Sequence, residues 1–147
     1  MTGCDVVLPL HPRTKGRIER FGLEDALGRL ETVAPMRYLE FLGLMHGAAA
    51  VITDSGGIQE ETTVLGVPCI TLRPSTERPI TIEEGTNRLF NEDLTGLPAV
   101  VRQSLDSTSA PVFPALWDGS AAERIAAVVT GWSSTVSSQE KASPVAL

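Results

Sequence analysis

The residues best placed to do chemistry gather in Val51-Ile52-Thr53-Asp54-Ser55-Gly56-Gly57, where an apolar, β-branched run ends in Asp, Ser and paired glycines and a helical pattern opens. In an open α/β sheet, ligands bind outside the carboxyl ends of the strands, at junctions of this kind. Gly56 and Gly57 let a ligand approach the backbone closely. The unpaired amide N–H groups of a helix start then attract an anion such as a diphosphate. Ser55 can add a hydroxyl donor. A plain N-cap and turn would look the same, so this element alone leaves both readings open.

The helical pattern that follows is more specific. Ile58, Thr62 and Leu65 recur at i, i+4 and i+7 as an inward stripe, and Glu61 falls on the same side. A carboxylate there is costly unless it is paired or accepts hydrogen bonds. The adjacent hydroxyls of a ribose would serve, as would water or an arginine of the next loop. Glu60 points elsewhere and reads as solvated. The next strand ends in Thr71-Leu72-Arg73, followed by Pro74-Ser75-Thr76-Glu77-Arg78-Pro79. Its loop shares a rim with Ser55, so Arg73 and Arg78 can clamp a diphosphate or neutralise Glu61. A surface ion pair of Arg78 with Glu77 or Glu83 is the plainer alternative. His11 stands at the carboxyl end of the first strand, where a lone histidine is equally a structural residue.

These groups need a scaffold, and the hydrophobic pattern supplies one. Apolar runs at about 5–10, 30–33, 49–53, 68–72 and 87–90 alternate with helical patterns at about 15–21, 37–46 and 57–65, the signature of βα units feeding a parallel sheet. Further helices are expected at about 97–105 and, behind Ser120, at about 121–132. In the helix at 37–46, Tyr38, Phe41, Leu42, Met45 and Ala48 form one stripe, read as core. The fold class is α/β: one Rossmann-like parallel sheet of about five strands with helices on both faces. Residues 1–132 form the domain, and 133–147, rich in Ser, Gln, Lys and Pro, read as a disordered tail.

At 147 residues and 42% hydrophobic, the chain can bury one core. A net charge of -6 argues against nucleic acid as partner, since phosphate neutralisation needs surplus Lys and Arg. The local basic cluster Arg13, Lys15, Arg17 and Arg20 reads as a solvated helix face. Cys4 and Cys69 have no partners at metal-ligand spacing and read as buried thiols of a reducing compartment. No metal or cofactor is expected. No apolar run approaches the ~18 residues of a membrane span, and the first residues lack signal-peptide blocks, so a cytoplasmic location is expected.

His11-Pro12-Arg13-Thr14, the run from Thr53 to Glu61, Arg73 with Thr76-Glu77-Arg78-Pro79, Glu84-Gly85-Thr86-Asn87, and Leu116-Trp117-Asp118-Gly119 with Ala121-Ala122-Glu123-Arg124-Ile125 form an ordered set. In order and spacing this set resembles the non-hydrolysing UDP-N-acetylglucosamine 2-epimerase family, over about residues 6–129. Ile80 departs from it, standing where many members carry an acid.

The resemblance implies most of the second domain of a two-domain GT-B architecture, binding UDP and UDP-N-acetylhexosamine. It implies that Ser55, Gly56 and Gly57 meet the diphosphate, that Glu61 accepts the ribose hydroxyls, that Arg78 lies against the nucleotide and that residues 34–36 lie near the uracil. His11 matches a cleft position that in some members touches a second UDP-sugar. The family reaction inverts the second carbon of the sugar, converting UDP-GlcNAc to UDP-ManNAc, by eliminating UDP to 2-acetamidoglucal and adding it back. The catalytic residues are expected in the N-terminal part, which this sequence lacks, so the chain alone is expected to be inactive. A UDP-sugar-binding or regulatory module and a GT-B glycosyltransferase half domain are the alternatives. The family's first strand of this domain would lie between residues 5–10 and 49–53. Its absence predicts either direct pairing of those strands or pairing with another chain, a complementing N-terminal half or a homodimer.

Overall fold

The computed structural model describes residues 4–106 and 113–142. Each expected strand forms, at β1 (Val7–Pro9), β2 (Glu31–Val33), β3 (Val51–Thr53), β4 (Cys69–Thr71) and β5 (Asn87–Leu89). The helices are α1 (Pro12–Phe21), α2 (Tyr38–His46), α3 (Gly56–Leu65), α4 (Ile80–Glu83), α5 (Leu97–Leu105) and α6 (Ala121–Ala142), with 3-10 turns at Glu24–Leu27 and Leu94–Gly96. The 3-10 turns and α4 are too short to show a period in the sequence. The alternation gives an α/β fold of parallel strands with helices on both faces.

One feature of the expected sheet is corrected. Instead of one continuous ladder there are two, β1-β2 and β3-β4-β5, all parallel. The direct pairing of β1 with β3 does not occur among the described residues. β1 bonds on one side only, with Glu31 N–H donating to the Val6 carbonyl and Leu10 N–H to the Val33 carbonyl. β3 likewise spends Val51 N–H on Pro68 and the Thr53 carbonyl on Leu72 N–H, both toward β4. In a strand, successive residues present their polar groups to opposite edges. Val7 and Ile52 therefore turn theirs to the edges that have no partner strand among the described residues.

The core is equally uneven. Its apolar members are Met45, Val67, Cys69, Ile70 and Phe90, centred on β4 between its two neighbours. β1, α1 and β2 contribute no fully buried residue. Of the stripe read as core on α2, only Met45 is fully buried, and Tyr38 is exposed. Cys4 is also exposed, against the expectation, whereas Cys69 is buried and its thiol is pushed up by desolvation.

The last block of the sequence makes a local lock. Arg124 forks both oxygens of Asp118 at 2.9 and 2.8 Å and donates to the Leu116 carbonyl at 2.7 Å, fixing the entry to α6. The Ser120 amide and then Arg124 hold the Asp118 carboxyl below its usual range. α6 does not stop at residue 132 but continues to Ala142, because Ser and Gln are tolerated in a helix and no Pro or Gly intervenes between residues 132 and 142. Residues 143–147 of the expected tail lie outside the described residues. Among the described residues, no helix is long and apolar enough to cross a membrane.

Candidate functional site

β3 ends at Thr53, and its hydroxyl accepts a hydrogen bond from Ser55 N–H at 3.0 Å, turning the chain into α3. Ser55 is the N-cap residue, but its side chain makes no capping bond. The exposed hydroxyl and the first amides of α3 therefore remain for a ligand, in line with the anion-binding character of helix starts. Gly57 has no heavy atom within 4 Å of where a Cβ would stand, so this side of the loop is open.

The loop after β4 folds back over that helix start. Arg78 forms ion pairs with Glu77, at 2.9 Å through Nη1, and with Glu60, at 3.2 Å through Nε. Arg73 bonds the other oxygen of Glu77 at 3.1 Å. The Glu77 carboxyl is held below its ordinary range, first by its own backbone amide and then by Arg73 and Arg78. Arg78 is pushed further up by Glu60 and then Glu77. Two guanidinium groups and two carboxylates thus make a neutral cluster beside the loop, each side chain at least 30% exposed and exchangeable with a ligand anion.

Glu60 is not simply solvated: α3 directs it to Arg78. Neither Arg73 nor Arg78 pairs with Glu61. Glu61 instead lies near the Tyr38 hydroxyl of α2, and its charge raises the phenol above its ordinary value. Tyr38, Glu60, Glu61, Val64, Leu65 and Trp117 line a groove of about 410 Å³, with apolar walls and a carboxylate lip. The stripe assigned to α3 is also corrected. Its fully buried residues are Gln59, Thr62 and Thr63, while Ile58 and Leu65 are half-buried. Buried Gln59 and Asn87 form a hydrogen-bonded set with half-buried Thr76 under the loop, to which the sequence assigns no role. Three polar residues facing each other from separate elements leave no periodic signal.

The structure brings Ser55, Gly56, Gly57 and Arg78 together and sets Glu61 one turn further along α3. His11 is placed differently. It caps α1, its Nδ1 accepting from Arg13 N–H at 3.2 Å, just after β1 of the other ladder. Ala34 and Pro35 line a second groove, of about 610 Å³, beside Pro12 and Lys15 rather than the groove of Glu61.

A family model described as UDP-N-acetylglucosamine 2-epimerase matches residues 2–130. The UDP-N-acetylglucosamine 2-epimerase of Methanocaldococcus jannaschii is 41% identical over 128 residues, covering 85% of this chain and 35% of its own length. The UDP-2,3-diacetamido-2,3-dideoxy-D-glucuronate 2-epimerase of Pseudomonas aeruginosa is 39% identical over 121 residues, covering 82% and 33%. The crystal structure of the M. jannaschii UDP-GlcNAc 2-epimerase in complex with UDP-GlcNAc and UDP superposes with a TM-score of 0.73 at 40% identity, covering 86% of this chain and 35% of that one. The chain therefore spans about a third of the length of the curated relatives it matches.

Proposed function

The chain belongs to the UDP-N-acetylglucosamine 2-epimerase family, and from that premise we propose that it is the UDP-holding part of an enzyme that converts UDP-GlcNAc to UDP-ManNAc. The observation that carries this reading is the junction of Ser55, Gly56 and Gly57 with Arg78 folded onto it. The Ser55 hydroxyl and the α3 amides hold the diphosphate, and Arg78 exchanges a carboxylate for a phosphate oxygen. Such fixed donors stabilise the charge that grows on UDP as its bond to the sugar breaks. Glu61 accepts the ribose hydroxyls at the edge of the groove. His11 contacts a second UDP-sugar when the cleft is assembled.

Removal and return of the proton at the second sugar carbon need acid and base groups near that carbon. Glu60 is engaged with Arg78, and Glu61 is committed to the ribose, so neither is that base. The proton-transfer groups come from a complementing N-terminal half, which seats a strand between β1 and β3. The open edges and the absence of a buried core around β1 and β2 support this partnership. A cytoplasmic location fits the sugar-nucleotide substrate.

Calorimetric titration of the chain with UDP and with UDP-GlcNAc tests the reading. Saturable binding of both is expected, and absence of binding to either overturns it.

A further inference from the structure

Gln59 is wholly buried, yet its amide is bonded in three directions. Its Nε2 donates to the Ser55 carbonyl at 3.3 Å, on the loop before α3. Its Oε1 accepts from Thr76 Oγ1 at 2.6 Å and from Asn87 Nδ2 at 3.1 Å. Thr76 Oγ1 in turn accepts from Arg78 N–H at 3.0 Å.

Asn87 is anchored on its far side, with Thr71 Oγ1 donating to its Oδ1 at 2.6 Å. Its Nδ2 also donates to Thr81 Oγ1 at 3.1 Å, and that hydroxyl donates to the Arg78 carbonyl at 2.8 Å. Both backbone polar groups of Arg78 are thus held by threonines tied to one buried network.

A buried amide is unfavourable unless its polar atoms are partnered, and an apolar residue would fill the same space without that requirement. The three bonds of Gln59 reach three separate segments: the amide loop at Ser55, the arginine loop at Thr76 and strand β5 at Asn87. Hydrogen bonds to a phosphate depend steeply on donor position, and a misplacement of about 1 Å can remove most of their effect.

We propose that Gln59 is the positioning residue of the diphosphate site, setting the α3 amides and the Arg78 loop at the separation a diphosphate requires. It touches no ligand itself and acts through Ser55 and Thr76. The assignment rests on reading Ser55, Gly56, Gly57 and Arg78 as the diphosphate cradle.

Two variants of the chain test it. Thr76→Val keeps the side-chain shape and the bonds of Gln59 to Ser55 and Asn87, but cuts the link to Arg78. Gln59→Leu removes all three bonds. Titration with UDP and with uridine separates diphosphate from nucleoside binding, and amide hydrogen exchange at Arg78 reads loop position without any ligand.

Thr76→Val is expected to weaken UDP about tenfold, the effect of losing roughly one such bond. Uridine should be unchanged and Arg78 exchange accelerated relative to Ile70, with Thr76→Ser restoring both. Gln59→Leu should weaken UDP further. Parallel losses for UDP and uridine, or unchanged exchange at Arg78 in Thr76→Val, would overturn the proposal. Failure of the unmodified chain to bind UDP would overturn the cradle itself, while exchange at Arg78 would still decide whether the network positions the loop.

Discussion

Arg78 lies so close over Gly56 that a Cβ at that position would stand 2.5 Å from Nη1 and 2.9 Å from Cζ. The obstacle is the end of a flexible side chain, so Gly56→Ala moves Arg78 rather than the backbone. Stability should change by less than about 1 kcal/mol while affinity for UDP falls about tenfold. Gly85→Ala is the contrasting case. Its Cβ would strike the Thr81 carbonyl and stand 2.5 Å from Thr63 Oγ1, in a packed place between α3 and α4. A loss of about 1–3 kcal/mol is expected from overpacking. Urea titration and calorimetry on both variants check the contrast, which fails if Gly56→Ala is the less stable of the two.

Glu60 and Glu61 are adjacent in sequence but have different partners, Arg78 and Tyr38. Glu61→Ala should weaken UDP binding by roughly 1–3 kcal/mol, the range for hydrogen bonds to a charged acceptor. Glu60→Ala removes one arm of a partly exposed ion pair and leaves Glu77 on Arg78, so its effect should stay within about 1 kcal/mol. Equal losses in titrations of the two variants would contradict the assignment of Glu61 to the ribose.

The chain by itself should show no epimerase turnover, since its paired acids are engaged elsewhere. Proton exchange at the second carbon of UDP-GlcNAc in deuterated solvent, followed by NMR, measures this directly. Deuterium incorporation at a rate proportional to the concentration of the chain would refute it.

The unpartnered edges of β1 and β3 should make the isolated chain either marginally stable or self-associating. Sedimentation and thermal melts across a concentration series distinguish the two. Addition of a complementing half should raise the melting temperature. A monomer at micromolar concentration that melts cooperatively above about 60 °C would rule the prediction out.

The strand positions and the Ser55-Gly56-Gly57 junction were legible because both leave local marks, a period or a turn residue. The position of Arg78 in the loop after β4 is legible, whereas its pairing with Glu60 is not. The polar base of the site escaped notice because Gln59, Thr76 and Asn87 meet only through tertiary contacts. The division of the sheet was legible only in part. Strand pattern shows which segments are extended, whereas which edges pair depends on segments far apart in sequence. The continuation of α6 beyond Trp132 shows how weakly composition alone fixes a helix end.

The lack of a shared ladder also bears on how the molecule comes apart. β1, α1 and β2 have no fully buried residue, whereas β4, between β3 and β5, carries the buried Ile70 and Cys69. Regions with little buried apolar contact open at lower free energy than the global transition, as separate cooperative units. The amides of residues 7–33 should then exchange by sub-global opening while those of β4 wait for complete unfolding, and the van't Hoff enthalpy should fall below the calorimetric one. A nucleotide held by the β3–β5 unit would protect that unit alone. Only a strand bridging β1 to β3 would merge the two openings into one.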